Sequence, residues 1–263
     1  MDSATAILID GGRMFGLIEA GLWTALRVGA ALMAAPLIGS RMVPARIRVV
    51  LAMTLAAAMT PMLPAPPAMS IDAATLLSVV RELALGISLG FIMRMAFEAG
   101  ALAGELIAQG MALSFAQMAD PLRGGVNSGL LGQWFNLALG LFFFAFDVHL
   151  ALIALIAESY RAAPVGAPLG GLDALLSTAP GFLTTVFRIG ALIALPAMIA
   201  MLVINLSFGL LARAAPALNP IALGLPAALL AGLVLLTVQA GELAGPAKAL
   251  FDEALAATRG LLG

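Results

Sequence analysis

Of 263 residues, 62% are apolar and only 10% are charged, against about 45–50% and about 25% in soluble domains, which excludes an ordinary water-solvated globule. The net charge is −1, and the 13 Lys and Arg residues are scattered without interleaved aromatics, so no nucleic-acid partner is expected. With no cysteine and one histidine, His149, disulfides, iron–sulfur clusters, thiolate zinc sites, Cys nucleophiles and multi-His metal sites are excluded together.

Asp2, Asp10 and Arg13 precede the first apolar run, in place of a basic start with a small-residue cleavage site, so insertion is expected to rely on the first retained helix. A spanning helix takes about 20 mostly apolar residues, fewer where it is tilted or shielded, and six regions are read this way. Residues 22–38 are followed by Arg41, Arg46 and Arg48; residues 49–63 end in Pro61, Pro64, Pro66 and Pro67, which cannot continue a helix. Residues 76–93 contain the adjacent Arg81 and Glu82, and residues 130–156 contain Phe142, Phe143, Phe144 and Phe146. Residues 182–211 carry Pro196 and residues 221–238 carry Pro226, where kinks are expected in place of breaks. The apolar runs recur with no polar module between them, so residues 1–263 are read as one all-α membrane domain.

Residues 96–121 are the anomaly, too polar for a lipid-exposed span and too apolar for a solvated loop. Glu98 and Glu105 fall on one helical face, with Gly100 and Gly104 on a neighbouring face. Beyond Gly110 the helical period fades into Ser, Gln, Asp, Pro and Gly. Irregular backbone at membrane depth is viable only under a cover of protein or in a water-filled cavity, which predicts a buried helix followed by a protected loop. With an external N-terminus, Arg41, Arg46, Arg48, Arg94 and Arg213 fall on the cytoplasmic side, and the proline-rich loop and residues 161–180 face outward.

Arg27, Arg81, Glu82, Glu98, Glu105, Asp147 and Arg188 lie within or beside apolar runs, where a charge at mid-bilayer costs at least about 2.5–3.5 kcal/mol. They face either a transport pathway or neighbouring chains that cover them; Arg94 and Glu98, four apart, offer a local pair. GxxxG spacing, which lets helix backbones approach closely, recurs at Gly86–Gly90, Gly100–Gly104 and Gly125–Gly129. No GxxxxGK[ST] is present, and Ser114 or Ser159 would need a pairing with His149 to act as a nucleophile. No catalysis and no cofactor are assigned.

Three stretches, in order, resemble the FliR family of flagellar export proteins and its type III secretion relatives. The first is Arg27 followed by AAPLIGSRMVPARIR, with Pro36, Arg41, Pro44 and Arg48. The second is AGELIAQGMALSFAQMADP, with Gly104, Glu105, Met111, Ser114, Phe115, Asp120 and Pro121; the third runs from Pro196 through Asn205, Gly209, Arg213, Pro216 and Gly224 to Pro226. The resemblance implies a subunit of the export gate in the bacterial inner membrane at the flagellar basal body. That gate is a channel built with FliP and FliQ through which unfolded flagellar proteins leave, together with FlhB-like and FlhA-like components. Residues 1–165 would be FliP-like and residues 180–245 a FliQ-like hairpin.

By the same resemblance, residues 109–125 form a plug that closes the channel, with Gln109, Gly110, Met111, Leu113, Phe115, Met118, Asp120 and Pro121 as its elements. Ala112 stands where relatives often carry Gly. Arg27, Arg81, Glu82, Arg94, Glu98, Glu105, Arg188, Asn205, Arg213 and Pro216 would meet neighbouring subunits. The turn at Arg213 and Pro216, an echo of Arg41 and Pro44, would meet the FlhB-like partner. Three alternatives stay open: an injectisome homologue (SctT), an ion-coupled transporter using Glu98, Glu105 or Asp147, and an intramembrane hydrolase using His149.

Overall fold

Proline marks several of the helix ends, though not all of them. The computed structural model describes residues 3–40, 42–66, 72–111, 129–166, 170–214 and 220–262, and all regular structure among them is helical. Helix α1 (Ser3–Ala34) gives way at Pro36, and α2 (Ala45–Met59) starts directly after Pro44 and ends in a 3-10 turn, Thr60–Met62, that holds Pro61. Helix α3 is continuous over Ala73–Gly110. The expected division near residue 94 does not occur, because no proline or turn pair interrupts the chain there, and Gly86, Gly90 and Gly104 within it lie against neighbouring backbones.

The region 130–156, expected as one span, is two helices, α4 (Leu130–Ala145) and α5 (Val148–Ala162). The break falls at Asp147, whose φ of 55° and ψ of 23° lie in the left-handed region, which Asp tolerates better than most residues. Helix α6 (Gly170–Ala214) runs through Pro196 without ending, and α7 (Pro220–Glu242) holds Pro226 inside it. A further helix, α8 (Ala244–Gly260), follows at once. Among the described residues, four helical stretches are long and apolar enough to cross a membrane: Met14–Ala34, Ala45–Met62, Ala73–Gly110 and Ser177–Leu211. The number rises to six if the broken pairs α4 with α5 and α7 with α8 each make one crossing.

The chain divides into two compact units. The first comprises Met1–Arg94, Asp147–Phe182 and Glu253–Gly263. Within it α1 packs on α2, with Gly29 facing Ala52. A Cβ on Gly86 would lie 2.3 Å from the Arg27 carbonyl oxygen, and one on Gly90 would lie 2.2 Å from that of Ala31. The Gly86–Gly90 spacing is therefore a backbone-to-backbone seam between α3 and α1. Trp23, Val28, Leu32, Leu89, Ile92 and Ile156 are buried in this unit.

The second unit comprises Met95–Phe146 and Leu183–Asp252. Here the later part of α3 uses Gly104 against α4, where a Cβ would stand 2.4 Å from the Gly132 nitrogen. Gly190 of α6 meets the Ala99 carbonyl of α3 in the same way, at 2.8 Å. Phe97 stacks edge-on against Phe143 at 5.8 Å and beside Phe251 at 5.9 Å, a geometry that aromatic quadrupoles favour.

Opposite signs are expected for two glycine substitutions. Gly104→Ala forces one backbone from another and should lower stability by about 1–3 kcal/mol. Gly16→Ala, with nothing within 4 Å of the new methyl, should raise it by up to about 1 kcal/mol through helix propensity. Thermal unfolding of each purified variant in detergent measures both.

Candidate functional site

The last turn of a helix leaves carbonyls without intrahelical donors, and the end of α3 leads into residues 112–128, which lie outside the described residues. Asn205 of α6 reaches this point: its Nδ2 donates to the Gly110 carbonyl at 3.0 Å. A Cβ on Gly110 would lie 3.1 Å from Cβ of Met201, so the glycine lets α6 close on the helix end. The next side chain, Met111, is wholly buried. It fills the slot left by Gly232 of α7, where an added Cβ would stand 2.5 Å from its Cγ, Sδ and Cε. A flexible thioether suits such a slot. The segment's far side returns at Gly129, a buried residue that opens α4. Gln109 is exposed, whereas Leu113, Phe115, Met118, Asp120 and Pro121 lie outside the described residues.

A second constellation lies in the first unit. Arg27 Nε donates to Glu82 Oε2 at 2.8 Å and its Nη2 to Glu82 Oε1 at 2.7 Å. Nη2 also reaches the Ala163 carbonyl at 2.8 Å, and Nη1 reaches Ser159 Oγ at 3.0 Å. The Tyr160 ring lies 4.0 Å from the guanidinium carbon, and its hydroxyl donates to the Thr24 carbonyl at 3.1 Å. Arg27 is 0% exposed and Glu82 1%. A fork-to-carboxylate pair of this kind is the geometry in which a buried arginine is most fully satisfied, and its charge also sits favourably at the C-terminal end of α5.

The residues expected at subunit contacts therefore separate. Arg27 and Glu82 are turned inward and satisfy each other within the chain. Asn205 is exposed but its amide is used on Gly110. Arg81 is half-buried and its Nη1 donates to the Gly166 carbonyl at 3.4 Å. Glu105 is half-buried; Arg94, Glu98, Arg188 and Arg213 are exposed, and Pro216 lies outside the described residues. Asp147, weighed as a proton carrier, is exposed at the helix break. Ser159, weighed as a nucleophile, donates to the Ile156 carbonyl at 2.6 Å while accepting from Arg27, and Ser114 lies outside the described residues.

Tyr160, Met201, Gly232 and Gln239 are structural participants that the sequence reading did not single out. Gln239 of α7 donates its Nε2 to the Ile193 carbonyl of α6. A lone tyrosine just beyond an apolar run was a usable signal, because its hydroxyl needs an acceptor when buried. Gly232 carries no such signal among 28 glycines.

Residues 18–254 match the family described as "Bacterial export proteins, family 1". Flagellar biosynthetic protein FliR of Escherichia coli (strain K12) is 36% identical over 232 residues, which cover 88% of this chain and 88% of that protein. FliR of Pectobacterium carotovorum subsp. carotovorum is 32% identical over 224 residues, with 85% of each chain covered. FliR of Bacillus subtilis (strain 168) is 29% identical over 224 residues, covering 84% of this chain and 86% of the relative.

The buried pair should behave asymmetrically. Arg27→Met leaves Glu82 enclosed without its cation and should cost about 3–5 kcal/mol, whereas the double variant Arg27→Met, Glu82→Met should recover most of that loss. A double-mutant cycle on thermal stability in detergent reads the coupling directly.

Proposed function

The chain belongs to the bacterial export proteins of family 1, and on that premise we propose that it is a membrane subunit of the flagellar type III protein export gate. In this reading it forms, with FliP-like and FliQ-like subunits, the channel for unfolded flagellar proteins in the inner membrane at the basal body. FlhB-like and FlhA-like components stand beside it. The flagellar name of the relatives reported above supports the flagellar system over the injectisome one. Residues 1–165 take the FliP-like role and residues 180–245 the FliQ-like hairpin.

The observation that carries the gate assignment is the anchored root of the central segment. A stretch with the mixed polar and apolar sequence of residues 112–125 would need protein around it at membrane depth. The carbonyl of Gly110 is capped by Asn205 and the side chain of Met111 is seated over Gly232, so α6 and α7 hold the point from which the plug springs. Met111, Leu113, Phe115 and Met118 supply bulky, deformable apolar groups, while Gly110, Gly124 and Gly125 permit backbone movement. A dry constriction of such groups stops ions and water with no catalytic chemistry. The exposed Arg94, Glu98, Arg188 and Arg213, set among apolar neighbours, are the charges that adjoining subunits cover, with Arg213 and Pro216 toward the FlhB-like partner.

Two outcomes are expected. Purification from native membranes should yield a stable complex with FliP-like and FliQ-like chains; recovery as an isolated chain with substrate-dependent flux refutes the reading. Replacing Met111, Phe115 and Met118 together by Ser should raise ion conductance of membranes that hold the assembled gate. Unchanged conductance with normal assembly removes the plug from the account.

A further inference from the structure

Beside the 3-10 turn of the first unit lies an open groove of about 580 Å³, walled by Leu17, Ala20, Thr60, Pro61, Leu63 and Pro64 and holding Glu19. One carboxylate oxygen of Glu19, Oε1, is shut off from solvent and accepts no hydrogen bond. The opposite wall is poor in donors by composition. Pro61, Pro64 and Pro66 have no N–H, the Leu63 N–H is used on the Thr60 carbonyl at 3.3 Å, and the N–H of Ala65, which also lines the groove, does not bond Glu19 Oε1. The one hydroxyl hydrogen of Thr60 serves the Ala56 carbonyl at 2.6 Å or Thr24 Oγ1 at 3.3 Å. The groove thus presents an acceptor that its own walls do not satisfy.

The surface around it is apolar. Phe15 and Leu22 share the Glu19 face of α1 by helical spacing, with Ile18 beside it, and Phe15, Ile18 and Leu22 are 76%, 56% and 48% exposed. Lipid could cover three such side chains, but hydrocarbon supplies no donor for the carboxylate in their midst, and a charge left so is costly. A protein surface carrying a cation matches both properties at once. We infer that this groove is a subunit contact, occupied by an apolar helix of a neighbouring gate subunit whose single Lys or Arg pairs with Glu19.

The inference rests on the gate reading for the existence of neighbouring subunits, but it assigns the contact to a face that no resemblance singled out. It is tested by purifying the complex from native membranes with Glu19→Gln, Glu19→Leu and Glu19→Lys beside the unaltered chain. Each variant should bring down at least about tenfold less of the contacting subunit, with Lys worst, tenfold being about 1.4 kcal/mol. The melting point of the separately purified chain should stay the same or rise, since an unpaired charge is removed. Second-site suppressors of Glu19→Lys should replace a basic residue of another subunit by an acidic one. Assembly of Glu19→Leu at the unaltered level overturns the inference in favour of lipid, and suppressors confined to this chain overturn it in favour of an internal partner. An unaltered chain that brings down no other subunit overturns the gate reading and this contact together.

Discussion

In a chain so short of charge, the placement of one guanidinium constrains everything around it. Arg27 sits on a helix of the first unit with no water to solvate it, so four of its hydrogen-bond contacts must come from the fold. They are drawn from α3 through Glu82, from α5 through Ser159, and from the residue that ends α5 through the Ala163 carbonyl. An apolar seam alone tolerates sliding by a turn, because one Leu row replaces another at little cost. A bidentate ion pair does not, because a one-turn shift strands both charges. Gly86 and Gly90 bring α3 onto the backbone of α1 beside this pair, so close approach and charge pairing specify the same register.

The second unit solves a different problem with different means. It has to hold the end of α3, and among the described contacts there no ion pair takes part. It does so by steric fit: bare glycine backbone where helices cross, a methionine laid over one such glycine, and a single amide from Asn205 on the terminal carbonyl. Each contact is small, about 1 kcal/mol for a neutral hydrogen bond. An anchor made of weak, local fits is one that small changes in packing can loosen.

The apolar runs reported most of the helices because lipid-like composition and helix length go together. They failed where the physics is local. Asp147 ends α4 by adopting a left-handed backbone, and nothing in the run of phenylalanines before it marks that choice. Helix α8 carries Lys248, Asp252, Glu253 and Arg259, so it escaped a search for unbroken apolar runs, yet its buried Ala247, Leu250, Phe251 and Ala254 keep a helical period. The charges Arg27 and Glu82 stood out individually; their pairing across 55 residues depends on packing register, which no local pattern encodes. Asn205 stood out by resemblance as a surface contact, and only the three-dimensional approach of α6 to Gly110 showed where its amide is used. Gly86 and Gly90 were legible because four-residue spacing is itself the geometric cause of close packing.

The length of α3 sets a limit on how this chain can sit in a bilayer. Its 38 residues rise roughly 57 Å, against a hydrocarbon core of about 30 Å. Containing a straight rod of that length within the core would take a tilt of about 60°, whereas spanning helices keep to about 0–40°. If α3 crosses a bilayer as one straight helix at such a tilt, part of this largely apolar helix lies beyond the hydrocarbon core. Hydropathy in this molecule measures exclusion from water, and membrane thickness divides that exclusion between lipid and protein.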